Sequence, residues 1–375
     1  MFNVKALRDK RLKNLYEIME KMDLDALILT ILENVRYATD IRPIHSIFHI
    51  NNYFSVIIPD EKPILLSSEA DRDFVKHRLP WVRWSPLPSF VPSGTVLSTL
   101  AERVTALLPD MVRRIGYDSL SFELWKGISE AIGADLISVQ NEILKKRAVK
   151  CEEEIDVMER ATQLAEIGME AVRENLKPGI TESELAAEAI HAMKKAGAEA
   201  ESHMPAIRSG ENAAILQRVD SCRRIVPGDS VIVDLGARYL GYSAEYCRTM
   251  VVGRPSPRLK EMYRVLFKAY SAGLEIIRPG TKVCEIDRAI RKVIEDAGYP
   301  DYPHATGHGI GMANAEYPTI DRASEVPLEE GMIICVEPGI YVPGIGGVKE
   351  EDIILVTETG YRTLSKTPYE ERLIR

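Results

Sequence analysis

The sequence predicts an α+β protein of two domains. Its 375 residues exceed the length over which one hydrophobic core usually keeps growing. Residues 1–147 alternate short apolar runs with segments of helical period, as α/β layers do. The remainder repeats its own helix–turn–helix pattern once, which points to two related units facing each other. Apolar content of 45% and charged content of 28% describe an ordinary globular chain. A net charge of -8 argues against nucleic acid as the main partner. No uninterrupted apolar run is long enough to span a bilayer, so no membrane partner is expected. The five cysteines are widely spaced and form no CxxC pair, so neither a disulfide framework nor a zinc knuckle is indicated, and a reducing cytoplasm fits. The charged opening, MFNVKALRDKRLKNLYEIMEKM, lacks the apolar stretch of a signal peptide.

The elements of the first domain follow in order. Leu7, Leu12, Leu15, Ile18, Met19 and Met22 recur near helical spacing and predict a first helix. DALILTI reads as a buried strand. YFSVIIP and PILLSS read as two more, split by the turn Asp60-Glu61-Lys62. A helix is expected over Glu69–Arg78, a short strand near Trp81–Trp84, and a helix over Thr95–Leu108. RRIGYD reads as a strand and Phe122–Ile132 as a helix. The long, charged, periodic segment from Lys145 to Leu176 reads as the helix that begins the second domain, with the boundary at residue 147. The expected domains are therefore 1–147 and 148–375, with no Gly/Ser linker between them.

The repeat is visible in LKPGITESELAAEAIHAMKKAG and IRPGTKVCEIDRAIRKVIEDAG. At an offset of 101, Pro178 meets Pro279, Gly179 meets Gly280, Glu184 meets Glu285, Gly197 meets Gly298 and His203 meets His304. Each copy reads as a helix end, a Pro-Gly turn, and a helix closed by glycine. At an offset of 103, Gly228 meets Gly331, Asp234 meets Glu337 and Gly236 meets Gly339.

Four acids and a histidine stand out beside this repeat: Asp234, Glu245, His308, Glu337 and Glu351. Four acids in one pocket would repel unless protons or cations neutralised them. A carboxylate and imidazole set without thiolate suits one or two divalent ions of Mn, Co, Zn or Fe. Each acid is expected at a glycine-bounded strand end, aimed into a cleft. Taken singly, each has a plainer reading. Asp234 caps a turn, Glu337 precedes a Pro-Gly turn, Glu245 pairs with Arg248, and His304 is a satisfied core histidine. Cys247 reads as a buried small residue, and Trp81, Trp84 and Trp125 as core or domain-interface residues. Arg42, His45 and His49 read as loop decoration.

The ordered motifs DLGA-x3-GY, RT, GHGIG, EPGIY and GGV-x2-ED resemble those of the pita-bread metallopeptidases. The N-terminal α/β domain, with NVRYATD and RAVKCEEEI, resembles the aminopeptidase P, prolidase and creatinase branch. The resemblance spans essentially the whole chain. It implies a metal-dependent hydrolase of Xaa-Pro dipeptidase or aminopeptidase type, in which metal-activated water attacks an amide carbonyl. It implies Asp234, Glu245, His308, Glu337 and Glu351 as metal ligands, Glu337 also as proton shuttle, and His304 as a catalytic, substrate-contacting group. It further implies a homodimer, a small peptide or amide substrate, and a domain-one loop carrying Arg42 that can reach the substrate. The departures are specific. Glu245 stands for an aspartate, Cys247 for a threonine, Gln217 and Ala315 for histidines, and Lys349 for an arginine. Gln217 can hydrogen-bond a substrate carbonyl but cannot titrate as histidine does. The altered substrate shell leaves two alternatives open: a creatinase-like hydrolase of a non-peptide C–N bond, and a catalytically silent binding module.

Overall fold

The structure, a computed structural model, describes residues 2–42, 53–87, 94–216 and 221–374. It falls into two compact units, Met1–Arg147 and Ala148–Arg375. No described helix is long and apolar enough to cross a membrane.

The first unit is built on six strands among the described residues: β1 (Ala26–Leu29), β2 (Phe54–Ile57), β3 (Ile64–Ser68), β4 (Arg83–Leu87), β5 (Arg114–Tyr117) and β6 (Asp135–Ser138). They lie in the order β4-β3-β2-β1-β5-β6. β1 and β3 each run antiparallel to β2, and the outer pairs are parallel. The central strands are apolar and buried on both faces, as helices on either side require. The helices are α1 (Val4–Lys21), α2 (Leu32–Thr39), α3 (Arg72–Arg78), α4 (Gly94–Leu107), α5 (Phe122–Ile132) and α6 (Gln140–Ala148).

Three expectations shift. The helix expected from Glu69 opens as a 3-10 turn, because the Ser68 hydroxyl accepts from Ala70 N and caps that turn first. The strand expected near Trp81 begins at Arg83, since Val82 N still bonds Leu79 O in a turn. Trp125 is 39% exposed on α5, so it is no core residue.

The second unit opens with α7 (Glu152–Asn175). The segment expected as one helix breaks between Ala148 and Glu152. Lys150 N leaves the helical ladder to bond Gly331 O at 2.9 Å, and Cys151 N bonds the Glu154 carboxylate as a new helix starts. The unit continues with α8 (Glu182–Lys195), β7 (Ala200–Glu201), β8 (Ala206–Ser209), β9 (Ser230–Tyr239) and β10 (Tyr242–Val251). Then come α9 (Pro257–Leu274), α10 (Val283–Asp296), β11 (Gly307–Gly309), β12 (Glu316–Ile320), β13 (Ile333–Val336), β14 (Gly339–Val342), β15 (Gly346–Lys349), β16 (Asp352–Thr357), β17 (Gly360–Thr363) and α11 (Glu371–Ile374).

The internal repeat is present in the backbone. Gly179 and Gly280 hold φ of +91° and +90°, a conformation that costs a side chain but not glycine. Their N–H groups donate to Ile225 O and Leu328 O, residues one repeat apart, both at 2.8 Å. The paired Glu184 and Glu285 each accept the backbone N–H three residues earlier and so cap α8 and α10. Each helix pair, α7 with α8 and α9 with α10, packs together before its chain enters a sheet. β9 pairs with β7, β8 and β10 in one sheet, while β12-β11-β13-β16-β17 form the other. An apolar core of α9, α10 and both sheets, including Ile232, Tyr263, Ile286, Ile334 and Ile354, underlies the strands that carry the acids.

Candidate metal centre

β9 and β10 form a long antiparallel hairpin in which Glu245 lies opposite Gly236, and Cys247 opposite Asp234. Residues two apart on a strand share a face, so Asp234 and Glu245 project the same way as diagonal neighbours. Both sit inside strands, not at strand ends as expected. The hairpin itself aims them, through its register.

His308 is the middle residue of β11. A Cβ at Gly307 would lie 2.0 Å from Cys335 O, and one at Gly309 would lie 2.2 Å from Tyr317 O. The two glycines thus let β11 press between its neighbours with the imidazole held at a fixed height. Glu337 follows β13 directly, and its N–H donates to Thr306 O at 2.8 Å. Glu351 lies between β15 and β16, tied to β10 by an isolated bridge with Cys247. Arg248 supports that link. Its guanidinium donates to Glu351 O at 2.8 Å and to Asp352 Oδ1 at 2.6 Å. The expected Glu245–Arg248 pair therefore does not form, because residues three apart on a strand face opposite ways.

Two overlapping groups emerge, each with donor atoms within 4.8 Å of one another: His203 with Asp234 and Glu245, and Glu245 with His308 and Glu351. Glu337 joins through His308, with Oε1 3.5 Å from Nε2. Asp234 Oδ1, Glu245 Oε2 and both Glu351 carboxylate oxygens are buried without an aligned hydrogen-bond donor. Buried anionic oxygens in this state call for a cation, and a hard or borderline divalent ion fits the donor set.

A lysine and a second imidazole also stand in the cluster. Lys349 Nζ lies 2.7 Å from Asp234 Oδ2, 2.8 Å from Glu337 Oε2 and 3.0 Å from Glu351 Oε2. His203 Nε2 lies 3.3 Å from Asp234 Oδ1 and 3.2 Å from Glu245 Oε1. Burial alone would raise the Asp234 carboxyl, but Lys349 and His203 hold it below the usual range. Glu337 is likewise lowered against burial, by Lys349, His308 and His304. The strain of gathering these acids falls on Glu351. Burial and its acidic neighbours push its carboxyl well upward against the pull of Lys349, and so favour its protonated form. Burial opposes charge on Lys349 and His203 as well, yet the surrounding carboxylates raise both.

Sequence reasoning missed His203, although the repeat offers the signal by equating it with His304. It also missed Tyr341, whose hydroxyl sits 3.0 Å from His304 Nε2. Burial lowers the His304 imidazole, with Glu337 pulling partly the other way. Arg291 steadies the same turn, donating to His304 O at 2.7 Å while stacking on Tyr302. Cys247 is fully buried, with its thiol pushed up by burial and so unsuited to attack. Arg42 lies in the first unit, 4.0 Å from Asp40 Oδ2. Gln217, His45 and His49 lie outside the described residues. Ala315 precedes Glu316, whose carboxylate pairs with Lys150 at 3.1 Å.

A buried set of carboxylates with the imidazoles of His203 and His308, drawn from two copies of one repeat, is a donor set suited to a divalent metal. Comparison with known proteins agrees. Residues 156–358 match metallopeptidase family M24, and residues 11–149 match the creatinase/prolidase N-terminal domain. A Xaa-Pro dipeptidase of Pyrococcus furiosus is 31% identical over 96% of this chain and 99% of its own length. Among solved structures, the prolidase from Pyrococcus horikoshii OT3 superposes with a TM-score of 0.83 at 31% identity, covering 96% of this chain and 99% of that one. A Xaa-Pro dipeptidase from Bacillus anthracis gives 0.83 at 29%, covering 97% and 99%. The chain belongs to metallopeptidase family M24, with the pita-bread fold, and is a metal-dependent peptidase.

Proposed function

We propose that this peptidase cleaves Xaa-Pro dipeptides, with Asp234, Glu245, His308, Glu337 and Glu351 as the residues that hold its metal. One observation carries the metal reading: these five side chains converge in a buried cluster whose anionic oxygens outnumber their protein donors. A bound divalent ion supplies an acidified water and a Lewis acid for the amide carbonyl. The chain's own residues supply the proton path. Glu337, in reach of His308 and near His304, takes the proton from water as the new C–O bond forms. It gives that proton to the leaving nitrogen as the C–N bond breaks. His304, which the family resemblance implies as a substrate contact, holds Ala305 O with Nδ1 and the Tyr341 hydroxyl with Nε2, so it reaches substrate by releasing the tyrosine.

The proline preference rests on the relatives named as Xaa-Pro dipeptidases. The thiolate-free donor set supports Mn, Co, Zn or Fe as the ion. The cysteines, all free, support a reducing cytoplasmic setting. A homodimer, with Arg42 of the first unit reaching substrate, is expected from the family resemblance. Hydrolysis of a Xaa-Pro dipeptide panel by chelator-treated protein, with and without added Mn or Co, tests the reading. Metal-restored cleavage of Xaa-Pro over Xaa-Ala dipeptides is the expected result. Metal-restored cleavage of Xaa-Ala alone would discard the proline assignment.

A further inference from the structure

We propose that this chain supplies one cation of its centre as a side chain. The Lys349 ammonium takes the place between Asp234, Glu337 and Glu351, and a single divalent ion is held at Glu245, His308 and Glu351. The proposal rests on the metal-dependent reading of the site, narrows the five metal-holding residues to three, and fixes how many ions that site accepts.

The lysine is anchored before its side chain begins. Its N–H donates to Thr249 Oγ1 at 2.9 Å, and its carbonyl accepts from the same hydroxyl at 2.7 Å. β15 is buried along its whole length. From that fixed point the stem reaches the cluster, and Lys349 is 5% exposed. An ammonium has three N–H donors and no acceptor. Here it meets three carboxylates, at 2.7, 2.8 and 3.0 Å. A planar arginine fork, which pairs best with one carboxylate edge-on, does not match a three-cornered cradle.

The remaining donor atoms divide unevenly. Asp234 has the ammonium on one oxygen and the His203 imidazole 3.3 Å from the other. An ion at His203, Asp234 and Glu245 would stand beside the ammonium and compete for the same carboxylate. On the opposite side, Glu245 Oε2 and Glu351 Oε1 are buried and without a donor. His308 Nε2 faces that side, with Glu337 Oε1 3.5 Å away. The set Glu245, His308 and Glu351 can thus take an ion while the ammonium stays in place.

Metal counting tests this without recourse to turnover. Chelator-stripped protein is titrated with Mn, desalted, and measured by native mass spectrometry and electron paramagnetic resonance. The expected result is one Mn per chain, with the hyperfine spectrum of an isolated ion. His308→Asn should lose that ion and His203→Asn should keep it. Lys349→Met should gain a second ion and the spectrum of an exchange-coupled pair. Two tightly held ions in the unaltered protein would overturn the proposal and leave the hydrolase reading standing. No ion under any loading would overturn both. Loss of the ion in His203→Asn but not in His308→Asn would place it on the wrong side of the ammonium. The unaltered protein decides the count even if Lys349→Met fails to fold.

Discussion

Glu337, like Asp234, has Lys349 at one carboxylate oxygen and a histidine at the other. With His308 as that histidine, its carboxylate stays ionised and able to accept a proton. Glu337→Gln keeps the shape and one acceptor but removes the base. It should lower kcat by about 10²–10⁴-fold, with the circular dichroism spectrum unchanged. His304→Ala removes the imidazole between Tyr341 and Glu337, not the proton carrier. Steady-state kinetics should show a loss of about tenfold in kcat/KM with metal binding retained. At this scale the five residues proposed as ligands could be named from sequence, because their motifs occur in a fixed order. Lys349 was legible only as a departure from arginine. Strand parity held the missing information: Lys349 and Glu351 are two apart and share a side of the chain. Parity gives direction but not reach, and reach decides where an ammonium ends.

Elements turn these residues into a site through register and close approach. β11 is the clearest case, since its flanking glycines leave no room for a side chain against Cys335 and Tyr317. Gly307→Ala should destabilise the protein by about 1–3 kcal/mol and weaken Mn binding, read by chemical denaturation and metal titration. The turn after β8 depends on a different device. Glu182 is fully buried at the start of α8, and its carboxylate accepts from Ser209 N and Oγ at 2.8 Å and from Asn212 Nδ2 at 3.0 Å. It also takes the Ser221 N–H at 3.2 Å. Glu182→Ala strands those donors, and a loss of about 3 kcal/mol in urea unfolding is expected. The helix α1 was readable from its period, and α8 from its Pro-Gly turn and closing glycine. The break between α6 and α7 was not, because a long-range bond from Lys150 to Gly331 makes it, and no local propensity records that bond.

At the scale of the whole molecule, buried tyrosines set the alkaline limit. Tyr246, Tyr263, Tyr270 and Tyr369 are raised above the ordinary value of 10.0, chiefly by burial, and Tyr53 of the first unit is raised to about 12. The folded chain keeps these hydroxyls protonated where the unfolded chain would release the protons. Their stabilising contribution is complete below pH 10.0 and declines as pH rises beyond it. Tyrosinate absorbance should therefore lag a model peptide and then rise together with loss of circular dichroism. A tyrosinate rise of all fifteen tyrosines completed without loss of circular dichroism at the pH of a model peptide would refute this. The duplicated plan of the second unit was legible from glycine and proline spacing, since those residues mark turns wherever they fall. Its halves contribute unequally to the centre: Asp234 and Glu245 come from the earlier copy, and His308, Glu337 and Glu351 from the later one. A lone copy owns no complete cage and could have built one only by meeting a twin in solution. Fusing the twins on one chain replaces that encounter with a fixed local abundance, so the cage closes even when the protein is scarce.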